Sequence, residues 1–546
     1  MKKQAKKTAS KVIAVILTSI LVLMCFAGCG DAKQGQDSDG STSAPNSSGN
    51  QPDSTTAPSG ESKVVVGLAH DPQNIGPFQG MSPGRIGILY TAYEFLAIKE
   101  GGEMYGVLMK DYKKIDDLTY NCEIYDYIYD QAGNHLTAED VAFSYNSGIE
   151  YGNLPKLRSI NSVEAISEYV VQFKFDTLSI GDLGALWMEC PIVTKAAFEA
   201  SADQMATDPI TTTAYKCTEF VSGSKMVFTK TDSYWQTDES KLQNTSKHNV
   251  DVIEFDIIPD GSQLTNALKT GAIDVTNWLS DVDVEDFMGK DGFDVTPVPD
   301  NLTYFLVYNC DEEQGAFANN KEFRQAIAYA IDLQQIVDGA FDGNGNIAKT
   351  WGNTNYADYV ESWLDEDYYD TDLDKARQLL AESGVSDLNI NLMIVSGDVT
   401  TKIATIMQAQ LAQIGVTVNI NPYDAQLSNT YKYQPEQWDL MLDQAGSTSY
   451  LVNVWKLAWD RSGYKHDGAM NFVKDDQLQS LLETAMDVDS HDDASMDAFH
   501  QYLKEQCYGI GLAQSMTNIA HTTKISKIVV DARGQTTPGA CEYSFK

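Results

Sequence analysis

Seven histidines, His70, His135, His248, His466, His491, His500 and His521, are spread along the 546-residue chain. No pair stands at metal-ligand spacing and no HExxH run occurs, so the zinc-hydrolase pattern is missing. A serine hydrolase needs a G-x-S-x-G elbow, and VSGSK at 221–225 has serine and glycine in the wrong order. The stretch FDGNGNI around Asp342 superficially matches a calcium loop. Ile347 stands at its glycine position, however, and Asn353 where a bidentate glutamate belongs, so a turn is the simpler reading. The acidic run DEDYYDTDLD (365–374) reads as a solvated helix entry with Asp372 as N-cap. The expectation is a protein that is not an enzyme, with no catalytic residue, cofactor or metal site.

The cysteines carry a different chemistry. Lys2, Lys3, Lys6, Lys7 and Lys11 precede an apolar run, Val12–Met24, that is shorter than the roughly 20 residues a membrane-spanning helix requires. This is the layout of an export signal. Ala27 and Gly28 before Cys29 resemble a lipobox, in which the cysteine takes a diacylglycerol. Residues 1–28 are then a lipoprotein signal peptide, and the site of lipidation is Cys29. An ordinary cleaved signal is the competing reading. Two acyl chains hold a membrane where one holds weakly. Residues 29–62 continue with Ser, Gly, Asn, Pro and Asp, too polar to offset chain entropy, and read as a tether. Such a protein stands outside the cytoplasm, anchored to the outer face of a bacterial cell membrane. Six further cysteines, Cys122, Cys190, Cys217, Cys310, Cys507 and Cys541, form no C-x-x-C pair. An oxidising compartment permits disulfides, and buried free thiols are equally compatible. The net charge of −38 repels phosphate backbones, which excludes nucleic acid as a partner.

The remaining chain is too long for one core, so two or more lobes are expected. LTAEDVAFSYN opens a helix with Thr137 as N-cap, Asp140 completing a capping box, and Leu136 and Val141 as a hydrophobic staple. EFRQAIAYAIDLQQIV and TTKIATIMQAQLAQIG carry apolar residues at helical spacing. Gly415 then stops the second helix, and VTVNI follows as a strand. VIEFDII (252–258) and YFLVYN (304–309) read as buried strands. The fold class is mixed α/β.

In chain order, LTAEDVAFSY, VEAISEYVVQFKF, PITTTAYK, VDVIEFDIIPDGSQLTNALKTGAIDV, LVYNCDEEQGAFANNKEFRQAIAYAID, YDTDLDKARQLLAESGV and MQAQLAQIGVTVNI are similar to the peptide- and nickel-binding family of extracytoplasmic solute-binding proteins, which serve ABC importers. The resemblance implies a two-lobed, periplasmic-binding-protein-like fold of the large type, with a ligand cleft between the lobes. Lobe I would combine 63–98, 201–305 and 513–546, with an inserted subdomain at 99–200. Lobe II would run from 306 to 512, and hinge crossings would fall near Leu306 and Leu512. It implies a monomeric receptor that captures an oligopeptide and delivers it to an ABC permease and its ATPase subunits, held at the membrane by the lipid anchor.

The resemblance also places Trp278, Tyr304, Trp438 and Trp455 in or near the segments lining the cleft, with Trp351 and Trp459. Aromatic walls with few fixed charges suit stacking and backbone hydrogen bonding; a core position is the competing reading for each tryptophan. Peptide-binding members commonly hold the ligand amine with an aspartate. In WDLMLDQAGSTSY that position falls on Thr448, and Asp443 lies five residues earlier, so the amine anchor departs from the family pattern. Asp300 is a further acidic candidate. The alternatives are the same fold binding an oligosaccharide or a metal chelate held by Arg85 or Arg158, and, more remotely, a secreted hydrolase or an envelope scaffold.

Overall fold

The computed structural model describes residues 62–546 except 81, 101–102, 316, 447–449, 465, 532–533 and 545–546. Cys29, the tether and Thr448 lie outside the described residues. Among those described, no helix is long and apolar enough to cross a membrane.

Two strands, Phe293–Tyr308 and Gly509–Thr522, are long enough to serve both halves of an eleven-stranded mixed sheet. Beyond Gly509–Thr522 the sheet continues through Val275–Thr276, Lys63–Leu68, Val252–Ile257, Lys225–Lys230 and Tyr215–Val221. Beyond Phe293–Tyr308 it continues through Leu440–Ala445, Asn389–Val395 and Thr417–Tyr423. Each half has a parallel part: Lys63–Leu68 runs parallel to Val252–Ile257 and Val275–Thr276, and Asn389–Val395 runs parallel to its two neighbours. These parallel strands are rich in Val, Ile and Leu, as burial under covering helices requires.

Apolar packing divides the same way. One core takes residues from Val64 to Val298 and from Ile519 to Cys541; a second takes residues from Tyr304 to Ala513. We refer to these as the first and second bodies. A four-stranded antiparallel sheet, in the order Met109–Asp116, Thr119–Ile124, Val170–Phe175 and Ile160–Ser167, shares the first core. The helix Ala138–Tyr151 covers it. Both the backbone N–H and the hydroxyl of Thr137 donate to the Asp140 carboxylate, closing the expected capping box, and Gly152 ends the helix at φ 70°.

Other local expectations have direct counterparts. Asp372 accepts from the backbone N–H groups of Asp374 and Lys375 and caps the helix Leu373–Ser383. The helix Asp398–Ala412 is followed by Gly415 at φ 87° and then by the strand Thr417–Tyr423. Asp342, at φ 52°, sits in the turn after Leu333–Ala340. The six described cysteines are buried and unbridged, and burial pushes their thiols above the ordinary cysteine range, which makes them poor nucleophiles.

Candidate functional site

The pairing of Phe293–Tyr308 with Gly509–Thr522 is interrupted where the chain passes from one core to the other. Pro299 faces Met516 and Thr303 faces Gln514, which leaves 300–302 opposite Ser515 alone; Leu512 is then skipped between Tyr304 and Phe305. Such bulges release ladder hydrogen bonds and bend the strand. The register also fixes what meets there. Val275–Thr276 advances along Gly509–Thr522 towards the break, and Leu440–Ala445 ends opposite Thr303. The carboxyl ends of the parallel strands of both bodies therefore converge on residues 299–305, the place where open α/β sheets bind ligands.

The break is tied internally. Asp300 accepts from Ser515 Oγ at 2.7 Å and from the Leu302 N–H at 2.8 Å, and burial raises its pKa from the usual carboxylate range. Asn353 Nδ2 donates to the Asp300 carbonyl at 2.7 Å, and Gln514 Nε2 donates to the Gly352 carbonyl at 3.0 Å. Alongside these bonds, the Thr303 hydroxyl, Gln514 Oε1 and Asn355 Oδ1 are buried with no hydrogen-bond partner among the described residues. Buried polar atoms are nearly always paired, so three unpaired ones beside one break in the register stand out.

Trp278 follows Val275–Thr276 directly. Its backbone N–H donates to the Thr276 hydroxyl at 3.3 Å, and its ring stands edge-on to His70, centroids 4.8 Å apart. It is half-buried, and its indole N–H also lacks a partner among the described residues. Tyr304 lies at the second bulge against Phe341, and burial together with Asp300 pushes its phenol up to about 12. Trp278 and Tyr304 thus sit at the strand ends and the break.

The other tryptophans are placed differently. Trp438 is buried in the second core, donates to the Tyr431 carbonyl at 3.2 Å and packs on Phe472. Trp455 is fully buried between Trp363 and Phe499. Trp351 stacks on Phe305 and Trp459 packs against Trp351. Asp443 is held by Lys432 Nζ at 2.6 Å within the second body. Arg85 is buried and donates to Asn74 Oδ1 and to the carbonyls of Asn74, Gly76 and Gly80, so its guanidinium organises the loop after Lys63–Leu68. Thr303, Gln514 and Asn355 escaped sequence reasoning because isolated Thr, Gln and Asn carry no motif; only the register shift brings them together.

The two bodies also touch away from the break. Lys456 Nζ pairs with Asp182 at 2.7 Å, Lys114 Nζ with Asp489 at 2.5 Å, and Lys99 Nζ lies over the Tyr450 ring at 5.7 Å. Gly184 lets the Tyr450 ring approach the helix Ile180–Glu189.

Comparison with known proteins bears on this architecture. The chain is similar to the oligopeptide-binding protein AppA of Bacillus subtilis, with 23% identity over 84% of this chain and 82% of that protein. It is equally similar to the nickel-binding protein NikA of Staphylococcus aureus, with 23% identity over 79% of this chain and 84% of the relative. Among solved structures, HbpA2 from Haemophilus parasuis superposes with a TM-score of 0.76 at 18% identity, covering 88% of this chain and 100% of that one. A putative peptide-binding protein AppA from Clostridium difficile gives 0.73 at 18% identity with the same coverage. The two-lobed fold is therefore shared. The model of bacterial extracellular solute-binding proteins, family 5, matches residues 103–463, more than half of the chain, and the protein belongs to that family.

Proposed function

We propose that this solute-binding protein captures an oligopeptide between its two bodies, at the strand break, and delivers it to an ABC permease. The carrying observation is a set of buried, uncharged polar atoms there that have no partner among the described residues: the Thr303 hydroxyl, Gln514 Oε1, Asn355 Oδ1 and the Trp278 indole N–H. Neutral donors and acceptors match peptide N–H and C=O groups whatever the side chains. Trp278 supplies an apolar wall, and Tyr304 lies at the break. Trp438 and Asp443 take no part in this reading, because the Tyr431 carbonyl and Lys432 already engage their polar groups; Trp455 is left out because it lies between Trp363 and Phe499 in the second core, although its indole N–H also lacks a partner among the described residues. Closure would hinge at 299–305 and 511–516, driven by a ligand that binds the closed form better.

The role is one of binding without a covalent step. Attachment through Cys29, with residues 29–62 as the tether, would keep the receptor beside its permease. The similarity to oligopeptide- and dipeptide-binding relatives supports a peptide cargo. The same neutral atoms would also suit an oligosaccharide. Denaturing the purified protein and identifying the released small molecule by mass spectrometry separates the two. A ladder of short peptides is expected, and a single sugar would overturn the peptide reading.

A further inference from the structure

We propose that the first body holds a second binding site, a partly open cavity beside Glu94 built for a small organic cation with an apolar body. The cavity has a volume of about 110 Å³, and among the described residues its walls come from between Gly87 and Ile253 and between Asp531 and Ala540. It lies directly behind the cleft wall: Gln535, on its lining, accepts from Asn277, the neighbour of Trp278, at 3.1 Å. The lining is mostly apolar and aromatic, with Tyr93, Phe95, Ile98, Met188 and Tyr215 among it.

Two carboxylates, Glu94 and Asp531, share that lining with Lys99, Lys247 and His248, and Glu94 is the buried one. Only 9% of it is exposed, and its carboxylate accepts from Tyr234 Oη at 2.6 Å and Trp235 Nε1 at 2.8 Å, both neutral donors. Among the described residues it makes no ion pair. Lys99, which lines the cavity, lies over Tyr450 of the second body, and Lys247 is exposed. His248, also on the wall, is pushed down to about 4 by burial and Lys230, so it contributes no positive charge near neutral pH. A buried carboxylate without a cation is costly, and an ionised one has lone pairs to spare after two hydrogen bonds. An ammonium entering the cavity would use those lone pairs, meet tyrosine faces that attract cations, and bury its alkyl part on the apolar wall. The strongly negative protein would raise the local concentration of such a ligand. A cavity of roughly 150 Å³ takes a benzene-sized ring, so the occupant is of that size or slightly smaller. The site is independent of the peptide reading and stands or falls separately.

Isobutylamine and its neutral counterpart isobutanol are the probes, titrated calorimetrically at pH 8 into the full-length protein. The amine should bind at least tenfold more tightly than the alcohol. Glu94→Gln should weaken the amine at least tenfold. Gly87→Leu provides a variant that keeps the fold: Gly87 lines the cavity on a helix, and a Cβ there meets nothing within 4 Å, so the larger side chain fills the space. It should abolish amine binding while leaving the melting temperature unchanged or higher. Trp278→Ala, on the other side of the wall, should leave amine affinity unaltered. Equal binding of amine and alcohol, full amine affinity in Gly87→Leu, or loss of it in Trp278→Ala would each overturn the site.

Discussion

Gly181, on the helix Ile180–Glu189 of the first body, lies so close to the Asn453 side chain of the second that any added Cβ would overlap that amide. The absence of a side chain there lets the two bodies meet. Gly181→Ala should therefore hold them apart. Alanine favours the helix by about 1 kcal/mol, whereas overpacking the contact costs about 1–3 kcal/mol. The expected outcome is an unliganded protein of unchanged melting temperature, a larger radius of gyration in solution scattering, and at least tenfold weaker ligand binding. Unchanged affinity would show that this contact does not govern closure.

The ion pairs that flank this contact are weak by design of their surroundings. Lys456–Asp182 and Lys114–Asp489 are both partly exposed, and such pairs contribute about 0–1 kcal/mol each. A double-mutant cycle on Lys456 and Asp182, read through ligand affinity, should give a coupling within that range that fades at high salt. A coupling of several kcal/mol would contradict this picture.

Trp278 and Trp438 make opposite predictions. Trp278→Ala should cost about 1–3 kcal/mol of ligand affinity with little loss of stability. Trp438→Ala should cost about 3–5 kcal/mol of stability, seen in denaturant titration, because it empties a packed position between Tyr431 and Phe472.

Thr303→Val tests the break directly. The Thr303 hydroxyl is buried with no partner among the described residues, and leaving such a group unsatisfied costs about 1–3 kcal/mol. Valine removes that cost at nearly constant shape, so the unliganded protein should be as stable or more stable. Ligand affinity should fall about tenfold, equivalent to about 1.4 kcal/mol, if the hydroxyl pairs with ligand. Unchanged affinity would remove Thr303 from the site.

Glu94 predicts a pH dependence. Burial first, opposed by hydrogen bonds chiefly from Tyr234, pushes its carboxyl up to about 7 from an ordinary value of 4.5. Between those values the folded state binds more proton than the unfolded state, so Glu94 makes stability fall as pH rises from 4.5 to 7. The loss amounts to about 3 kcal/mol and is complete above pH 7. Glu94→Gln should flatten this part of the stability–pH profile, measured by denaturant titration at several pH values; an unaltered slope would refute the assignment.

Local signals in the sequence translate well into structure where the partners are near in the chain. Thr137 and Asp140 are three residues apart, and Asp372 caps the residues just after it. Distant partners leave no such trace. The strand read from Tyr304 in fact begins at Phe293, because pairing with Gly509–Thr522 carries it through Pro297 and Pro299, two residues that locally argue against a strand. Trp438 and Trp455 have core partners far away in sequence, so composition alone could not separate them from Trp278. The site atoms of Thr303, Asn355 and Gln514 come together only through the break.

The strand Gly509–Thr522 has one more consequence, for the order of assembly during export. It lies mid-sheet, joining Val275–Thr276 to Phe293–Tyr308, yet it follows every other strand of that sheet in the chain. A chain emerging amino-end first can bury most of the second core while the sheet is still in two pieces. The first body can close only when residues 509–522 arrive to bridge them. A protein built this way keeps its large sheet in two pieces until residues 509–522 have crossed the membrane, and a chain cut short before residue 509 would carry two unpaired sheet edges at the break.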